Sequence, residues 1–181
     1  ISTSHVNSDT DSFLKVNYIK RGRMTQCVQR HSTLATIEDD EYVDQINSTS
    51  METFLNIGVC DHFVVEQCSF DGSIKGIGNA SIQCKYLEVK GNIIGANAYN
   101  VTALPNLANF GYVHWEDNEV YNLVGPGDDV RCIFDCTNMG ASHKLRIIGR
   151  NKFHCRFPFK SGTAAAIFRA APTIVGVIAS D

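Results

Sequence analysis

The sequence predicts an all-β protein in which short parallel strands stack in successive coils, and three observations lead to this fold class. A figure of two large apolar residues separated by any one residue occurs four times, at 63–65, 87–89, 113–115 and 145–147. This alternation of period two is typical of a strand. Successive copies begin 24, 26 and 32 residues apart, an interval typical of repeat architectures.

The columns on either side of the figure repeat as well. Cys60, Cys84 and Phe110 stand three residues before the first three copies, whereas the fourth copy has an insertion. After each copy comes a polar or thiol position, occupied in turn by Cys68, Asn92, Asn118 and Arg150, with Asn151 next to Arg150. An apolar position follows it, occupied by Phe70, Ile94, Val120 and Phe153. An Asn amide at a bend can donate to one coil and accept from the next, so a stack of asparagines is expected there.

Residues 1–51 are interpreted as an N-terminal lead-in with strands. Residues 1–12 are rich in Ser, Thr, Asp and Asn and predict an irregular segment. Strand-like segments follow at 13–19 and 23–28, joined at Arg21 and Gly22. The acidic segment 38–44 lacks the spacing and glycine of a calcium loop, which indicates a solvated face.

Residues 52–155 hold the coils, each predicted to contain two strands. The second strand is the apolar figure, and the first is expected at 53–57, 80–84, 107–110 and 130–134. Gly-containing pairs such as Asp71-Gly72 and Lys75-Gly76 mark the expected turns.

Residues 156–181 depart from the repeat. Phe157-Pro158-Phe159 is a rigid break, and 164–178 is apolar and rich in small residues. This segment is expected to cap the coils, to pair across a subunit interface or to start another coil. Because open coil ends expose strand edges, homo-oligomeric packing is also expected.

The composition excludes several function classes. With 181 residues and a net charge of -3, the chain has no basic footprint for nucleic acid, and no apolar run is long enough to span a membrane. Seven cysteines without zinc-like spacing predict reduced, buried thiols and synthesis in a reducing cytoplasm. A start at Ile1 without Met leads us to expect a fragment or a processed product.

The coils at 86–94 and 145–153 resemble rungs of a right-handed parallel β-helix of the bacteriophage tailspike or pectate-lyase-like type. The irregular period and the reduced cysteines are more similar to a tailspike. The resemblance implies a homotrimer on the virion that binds, and in many cases cleaves, bacterial surface polysaccharide. It does not by itself fix function.

Candidate catalytic residues come from the side chains expected to point outward. Alternation places Glu88, His114 and Glu116 on one exposed face. Two carboxyl groups on adjacent coils fit the separation that glycoside hydrolysis requires, and a histidine is a plausible acid–base partner. The same rows also fit an ordinary solvated face of alternating charge.

Candidate substrate-binding residues lie nearby or follow a Gly-Pro-Gly turn. Tyr112 and Tyr121 are predicted stacking platforms, and Arg146 belongs to an outward row. Asp128 and Asp129, with Asp135, form a second acidic group, although Asp at such turns commonly caps backbone amides. Trp115 is expected in the core. No metal ligand set or cofactor motif is present.

The predicted function is therefore a tailspike-like adhesin module that binds bacterial surface polysaccharide, with or without depolymerase activity. The alternatives are a free-standing, extracellular polysaccharide lyase or glycosidase, and a purely structural segment of a virion fibre. An exposed groove with two carboxylates and an aromatic side chain would separate the enzymes and binders from the structural segment.

Overall fold

The computed structural model describes residues 14–28, 53–77, 81–95, 103–104, 106–122, 131–155, 165–170 and 177–179. Within them the chain forms fifteen strands and a short 3-10 helix, Leu107–Asn109. In chain order the strands are β1 (Leu14–Val16), β2 (Ile19–Thr25), β3 (Thr53–Ile57), β4 (Cys60–Glu66), β5 (Ser69–Asp71), β6 (Ser73–Gly76), β7 (Cys84–Lys90), β8 (Ile93–Gly95), β9 (Phe110–Glu116), β10 (Glu119–Asn122), β11 (Arg131–Cys136), β12 (Lys144–Ile148), β13 (Lys152–Cys155), β14 (Ala165–Ala170) and β15 (Val177–Ala179).

All ladders between these strands are parallel, as the sequence predicts. The largest sheet has six strands in the order β15-β12-β9-β7-β4-β2, and a second has four in the order β13-β10-β8-β5. A third side consists of the sheets β1-β3-β6 and β11-β14. Residues 103–104 link these two, since Ile74 N donates to Ala103 O at 2.9 Å and Leu104 forms a bridge with Phe134.

Along the chain, strands belonging to these three sides follow one another in a fixed order. A strand of the third side is followed by one of the six-stranded sheet and then by one of the four-stranded sheet, as in β3, β4, β5 and again in β6, β7, β8. Three repeats, β3–β5, β6–β8 and β11–β13, therefore have three strands, and for these the prediction of two was wrong. The strands that were not predicted each begin one residue before the apolar column of Phe70, Ile94, Val120 and Phe153, which the sequence shows without a clear alternation.

The apolar figure occupies the interior in continuous register. Phe63, Leu87, Val113 and Leu145 are successive Cα partners in the six-stranded sheet, and each is at most 2% exposed. Trp115 is fully buried, as expected, and packs edge-on against Phe134 with ring centroids 4.9 Å apart. Cys60, Cys68, Cys84 and Cys136 are free and buried, which confirms their predicted place in the core.

Two predicted first strands were wrong. Residues 81–83 form no strand, because the strand of that repeat on the third side is β6. Residues 107–109 form the 3-10 helix, which turns Leu107 into the core. Lys75 and Gly76 lie in β6 and do not form a turn. A Cβ at Gly76 would lie 2.3 Å from Cβ of Asn109, so packing against the helix explains this glycine.

Pairing continues beyond both ends of the predicted coil region. β2 pairs with β4, and β14 and β15 pair with β11 and β12, so the described part of the C-terminal segment adds strands to existing sheets. β2 also runs through Gly22, where the sequence predicted a junction. The ring of Phe63 fills the space beside Gly22, and a Cβ there would lie 2.4 Å from it.

Asparagines form the predicted ladder at the bend between the six- and four-stranded sheets. The Oδ1 atoms of Asn92, Asn118 and Asn151 accept the backbone N–H groups of Cys68, Asn92 and Asn118, each at 2.9 Å. The amides of Asn92 and Asn118 donate to Val65 O and Val89 O. The residue before Asn92 and the residue before Asn118 have positive φ, at Gly91 (60°) and Asp117 (51°), and Gly149 (77°) lies two residues before Asn151.

Candidate functional site on the outer face of the six-stranded sheet

The outer face is defined here by the side chains of β2, β4, β7, β9 and β12 that point away from the core. The strand register aligns them in three rows that cross the strands. The first row is Arg21, His62, Tyr86, Tyr112, Lys144; the second is Arg23, Val64, Glu88, His114, Arg146; the third is Thr25, Glu66, Lys90, Glu116, Ile148. Neighbours within a row are about 4.8 Å apart, the spacing of hydrogen-bonded strands.

Aromatic rings occupy the middle of the first row. Tyr86 and Tyr112 stack with centroids 4.6 Å apart and planes 4° from parallel, and His62 meets Tyr86 edge-on at 5.1 Å. The tyrosines therefore cover one face of each other. Burial, with smaller effects from Tyr112 and Glu88, raises the pKa of Tyr86, so its phenol stays neutral at pH 7 and can donate a hydrogen bond.

Glu88 is an ionised, sheltered carboxylate. Its side chain is 15% exposed, its Oε1 lies 2.7 Å from Nε2 of His62, and its Oε2 pairs with Nζ of Lys90. Burial acts to raise the pKa of Glu88, but the contacts with Lys90 and His62 outweigh it, so the pKa falls below the ordinary glutamate value. A general acid needs the opposite shift.

His114 and Glu116 form a separate pair one strand away. Nε2 of His114 lies 2.9 Å from Oε2 of Glu116, and the His114 side chain is 12% exposed. His114 is the register partner of Glu88 on one side and of exposed Arg146 on the other. The two carboxylates thus sit in different rows with different partners, and His114 lies between them.

An open depression of about 420 Å³ lies at the β2 side of the outer face. Its lining consists of Lys20, Arg21, Asp61, His62, Tyr86 and Glu88. Asp61 pairs with Lys85 at 2.6 Å, and that contact lowers the pKa of Asp61. Among the described residues, Lys20 and Arg21 have no ion-pair partner, so the depression combines two available cations with aromatic and carboxylate groups.

Cations outnumber carboxylates on this side of the molecule, although the whole chain has a net charge of -3. Arg23, Lys85 and Lys90 are paired with Glu66, Asp61 and Glu88. Lys144 and Arg146 on β12 resemble Lys20 and Arg21 in having no ion-pair partner in the described part of the chain. Unpaired positive charge therefore stands on both sides of the tyrosine pair.

The structure brings together five of the residues selected from the sequence: Glu88, His114, Glu116, Tyr112 and Arg146 lie on the outer face. Tyr121 belongs to β10 in the four-stranded sheet, so its backbone lies elsewhere. Asp128 and Asp129 lie outside the described residues. Asp135 accepts hydrogen bonds from N and Oγ1 of Thr137. This is the capping of a turn, which was predicted from the sequence as the alternative to substrate binding.

Sequence reasoning missed the rest of the first row. His62, Tyr86 and Lys144 each stand immediately before a copy of the apolar figure, in line with Tyr112. The first apolar residue of each copy points inward, so strict alternation would have placed the residue just before it outward. Arg21 and Lys20 carried no such signal, because the repeat in β2 contains Gly22 where the other copies have a large apolar residue.

In the part of the chain that the structure describes, no three His, Cys, Asp or Glu side chains are grouped as metal ligands would be. No helix in that part has the length and apolar character needed to cross a bilayer. Comparisons with protein-family models, curated proteins and solved structures found no match to this chain.

Proposed function

We propose that this chain is a right-handed parallel β-helix module of the tailspike type, and that its outer face binds an acidic bacterial surface polysaccharide. The observation that carries the proposal is the first row, in which His62, Tyr86 and Tyr112 stand in line between the cations Arg21 and Lys144. The homotrimer and the virion location that the resemblance implies are part of the proposal.

The order of the strands supports the fold assignment. Three repeats, β3–β5, β6–β8 and β11–β13, contribute parallel strands to the three sides in the same sequence, and this is how a chain winds in a β-helix. Connections between parallel strands of one sheet are right-handed in nearly all proteins. A right-handed coil is therefore the expected hand.

The chemistry of the first row supports a polymeric, hydroxyl-rich ligand. A line of groups about 4.8 Å apart presents a hydrogen-bonding group at each step, and an extended sugar chain advances by a similar distance per residue. The neutral phenol of Tyr86 and the imidazole of His62 can bond to hydroxyls. Arg21 can bind a sugar carboxylate through two parallel hydrogen bonds, which favours an acidic polymer.

The network around Glu88 favours binding without cleavage. Glycoside hydrolysis needs one carboxyl group that is protonated at the working pH. The pKa of Glu88 is lowered by Lys90 and His62, and Glu116 is engaged by His114. Both carboxylates then act as acceptors for sugar hydroxyls, and depolymerase activity is not expected from this pair.

A panel of acidic and neutral capsular polysaccharides from bacteria tests the proposal by biolayer interferometry. We expect the wild-type protein to bind acidic polymers preferentially and more weakly as salt increases. Arg21→Gln and Lys144→Gln should each weaken binding about tenfold, the effect of losing one charge-assisted contact. Lys15→Gln, at an exposed cation on β1 away from the outer face, is the matched control.

The same samples are assayed for new reducing ends and for absorbance of unsaturated sugars. We expect neither signal. The proposal is overturned if no polysaccharide binds, if neutral polymers bind equally well, or if the Lys15 variant loses as much affinity as the Arg21 variant. Release of reducing ends that disappears in Glu88→Gln would instead establish a glycosidase.

A further inference from the structure

At the start of the asparagine ladder, cysteines take the place of the asparagines. The residue after the positive-φ position is Asn92, Asn118 or, one residue further on, Asn151 in the later repeats. In the first two repeats it is Cys27 and Cys68, preceded by Gln26 (φ 55°) and Gln67 (φ 52°). Where the other steps of the ladder are amide hydrogen bonds, the first step therefore places two thiols in register.

The two cysteines are placed as a disulfide requires. They stand one residue before the bridged pair Val28 and Ser69, and Ser69 N donates to Cys27 O at 2.8 Å. Each thiol donates to the carbonyl two residues earlier, Cys27 to Thr25 O at 3.6 Å and Cys68 to Glu66 O at 3.3 Å. Cys27 lies close enough to Cys68 to affect the pKa of the Cys68 thiol. Neighbouring parallel strands hold paired Cα atoms about 4.8 Å apart, which lies within the range of about 4.4–6.8 Å found for disulfides.

We propose that Cys27 and Cys68 form a reversible disulfide that fastens the first repeat, residues 14–28, to the rest of the stack. A low-molecular-weight disulfide such as oxidised glutathione is the oxidant. The Cys27 thiolate attacks one glutathione sulfur and expels a glutathione thiolate. The Cys68 thiolate then attacks Sγ of Cys27 and expels the second, so two protein thiols are oxidised and one glutathione disulfide becomes two thiols.

The different exposure of the two thiols sets this order of steps. Cys27 is half-buried and can meet an oxidant, whereas Cys68 is 2% exposed. Burial, with the neighbouring Cys27, raises the pKa of the Cys68 thiol to about 11. Since only the thiolate attacks, ring closure is slow at pH 7 and faster at alkaline pH.

A second thiol pair serves as an internal comparison. Cys60 and Cys84 are register partners in β4 and β7 and are 2% and 0% exposed. Burial raises the pKa of Cys84 to about 12. An oxidant in solution has no access to either sulfur in the folded protein, so this pair stays reduced while Cys27 and Cys68 react.

The bond would matter because the first repeat is at the edge of the sheets. β1 and β2 each have a described pairing partner on one side only. β2 supplies Lys20 and Arg21, which line the depression on the outer face. A covalent link at Cys27 holds this edge in place without altering the outer face itself.

Oxidation of the folded protein with oxidised glutathione at pH 8.5, followed by alkylation and peptide mass mapping, tests the proposal. We expect a peptide linked through Cys27 and Cys68, with Cys60 and Cys84 alkylated. The melting midpoint of the oxidised protein should rise by about 5–10 °C and return on reduction. Hydrogen exchange of residues 14–28 should slow on oxidation.

Three variants make the result specific. Cys27→Ser and Cys68→Ser should each abolish the shift between oxidised and reduced samples, whereas Cys60→Ala should retain it. The comparison is made within each variant, so a change in its basal stability does not affect the reading. Glutathione retained on Cys27, a Cys60–Cys84 link, or a linked Cys27–Cys68 peptide with no change in melting or exchange would each overturn the proposal.

Discussion

At the residue scale, the asparagine ladder shows how one side-chain type can satisfy a bend that recurs in successive repeats. Asn118 is fully buried, accepts the backbone N–H and the side-chain amide of Asn92, and donates to Val89 O. Few other residues combine donor and acceptor at this length. The ladder fixes the bend between the six- and four-stranded sheets and aligns the repeats on both sides of it.

Replacing Asn118 with Ala should lower the free energy of unfolding by about 2–4 kcal/mol, since it leaves buried groups of Asn92 and Val89 without partners. Asn151→Ala, at the partly buried end of the same ladder, should cost about 1 kcal/mol. Urea unfolding followed by Trp115 fluorescence measures both. Equal effects for the two variants would show that burial of the ladder is not what makes Asn118 important.

At the scale of the elements, the outer face is held together by contacts between neighbouring strands. Glu88 on β7 joins His62 on β4, and Tyr86 stacks on Tyr112 of β9. Because the register is continuous, each of these contacts depends on the apolar figure beneath it. The same strands thus carry a buried row that sets the alignment and an exposed row that the alignment assembles.

The lowered pKa of Glu88 predicts a pH dependence of stability. A carboxylate with a lower pKa in the folded state stabilises the protein above its unfolded pKa, about 4.5, and this contribution disappears as the pH falls through the folded value. We therefore expect Glu88→Gln to be less stable than wild type at pH 7. The difference in urea midpoint should vanish in strong acid.

This comparison needs only the two proteins at several pH values between 7 and 2. A difference in urea midpoint that is constant over the whole range would show that the loss comes from packing rather than from the charge. A variant more stable than wild type at pH 7 would mean that the cost of burying Glu88 exceeds its attraction to Lys90 and His62.

At the scale of the whole molecule, each repeat packs on its two neighbours, so the middle repeats are covered on both sides and the end repeats on one. Leu87 and Val113 lie in the middle of the interior column and are almost completely buried. In such an arrangement local opening begins at the ends and costs more free energy towards the centre.

Hydrogen exchange measured by mass spectrometry should therefore be slowest in β7 and β9 and faster in β1, β2 and β15. Leu87→Ala should reduce the free energy of unfolding by about 2–5 kcal/mol through the cavity it leaves. Val59→Ala, at a side chain that is 50% exposed, should change it by less than about 0.5 kcal/mol. Uniform exchange over all repeats would contradict this view of the molecule.

The repeat figure alone is enough to predict the register of β4, β7, β9 and β12, four of the six strands of the largest sheet. Its two apolar positions must both face the core, so aligning the four copies aligns the strands, and the outward rows of Glu88 and Glu116 follow directly. The third side could not be predicted in the same way. Its strands are short, and in one repeat a 3-10 helix around Leu107 replaces part of the expected strand.

The sequence by itself thus determined the all-β class, the interior columns, the asparagine ladder and the burial of several cysteines, because periodic burial leaves a periodic pattern in the chain. Only the tertiary structure decided which outward side chains meet. The pairing of His62 with Glu88, the stacking of Tyr86 on Tyr112 and the meeting of Cys27 with Cys68 join residues at least 26 positions apart. Exposed positions tolerate many residue types, so their contacts have no periodic signature and follow from the alignment of the coils alone.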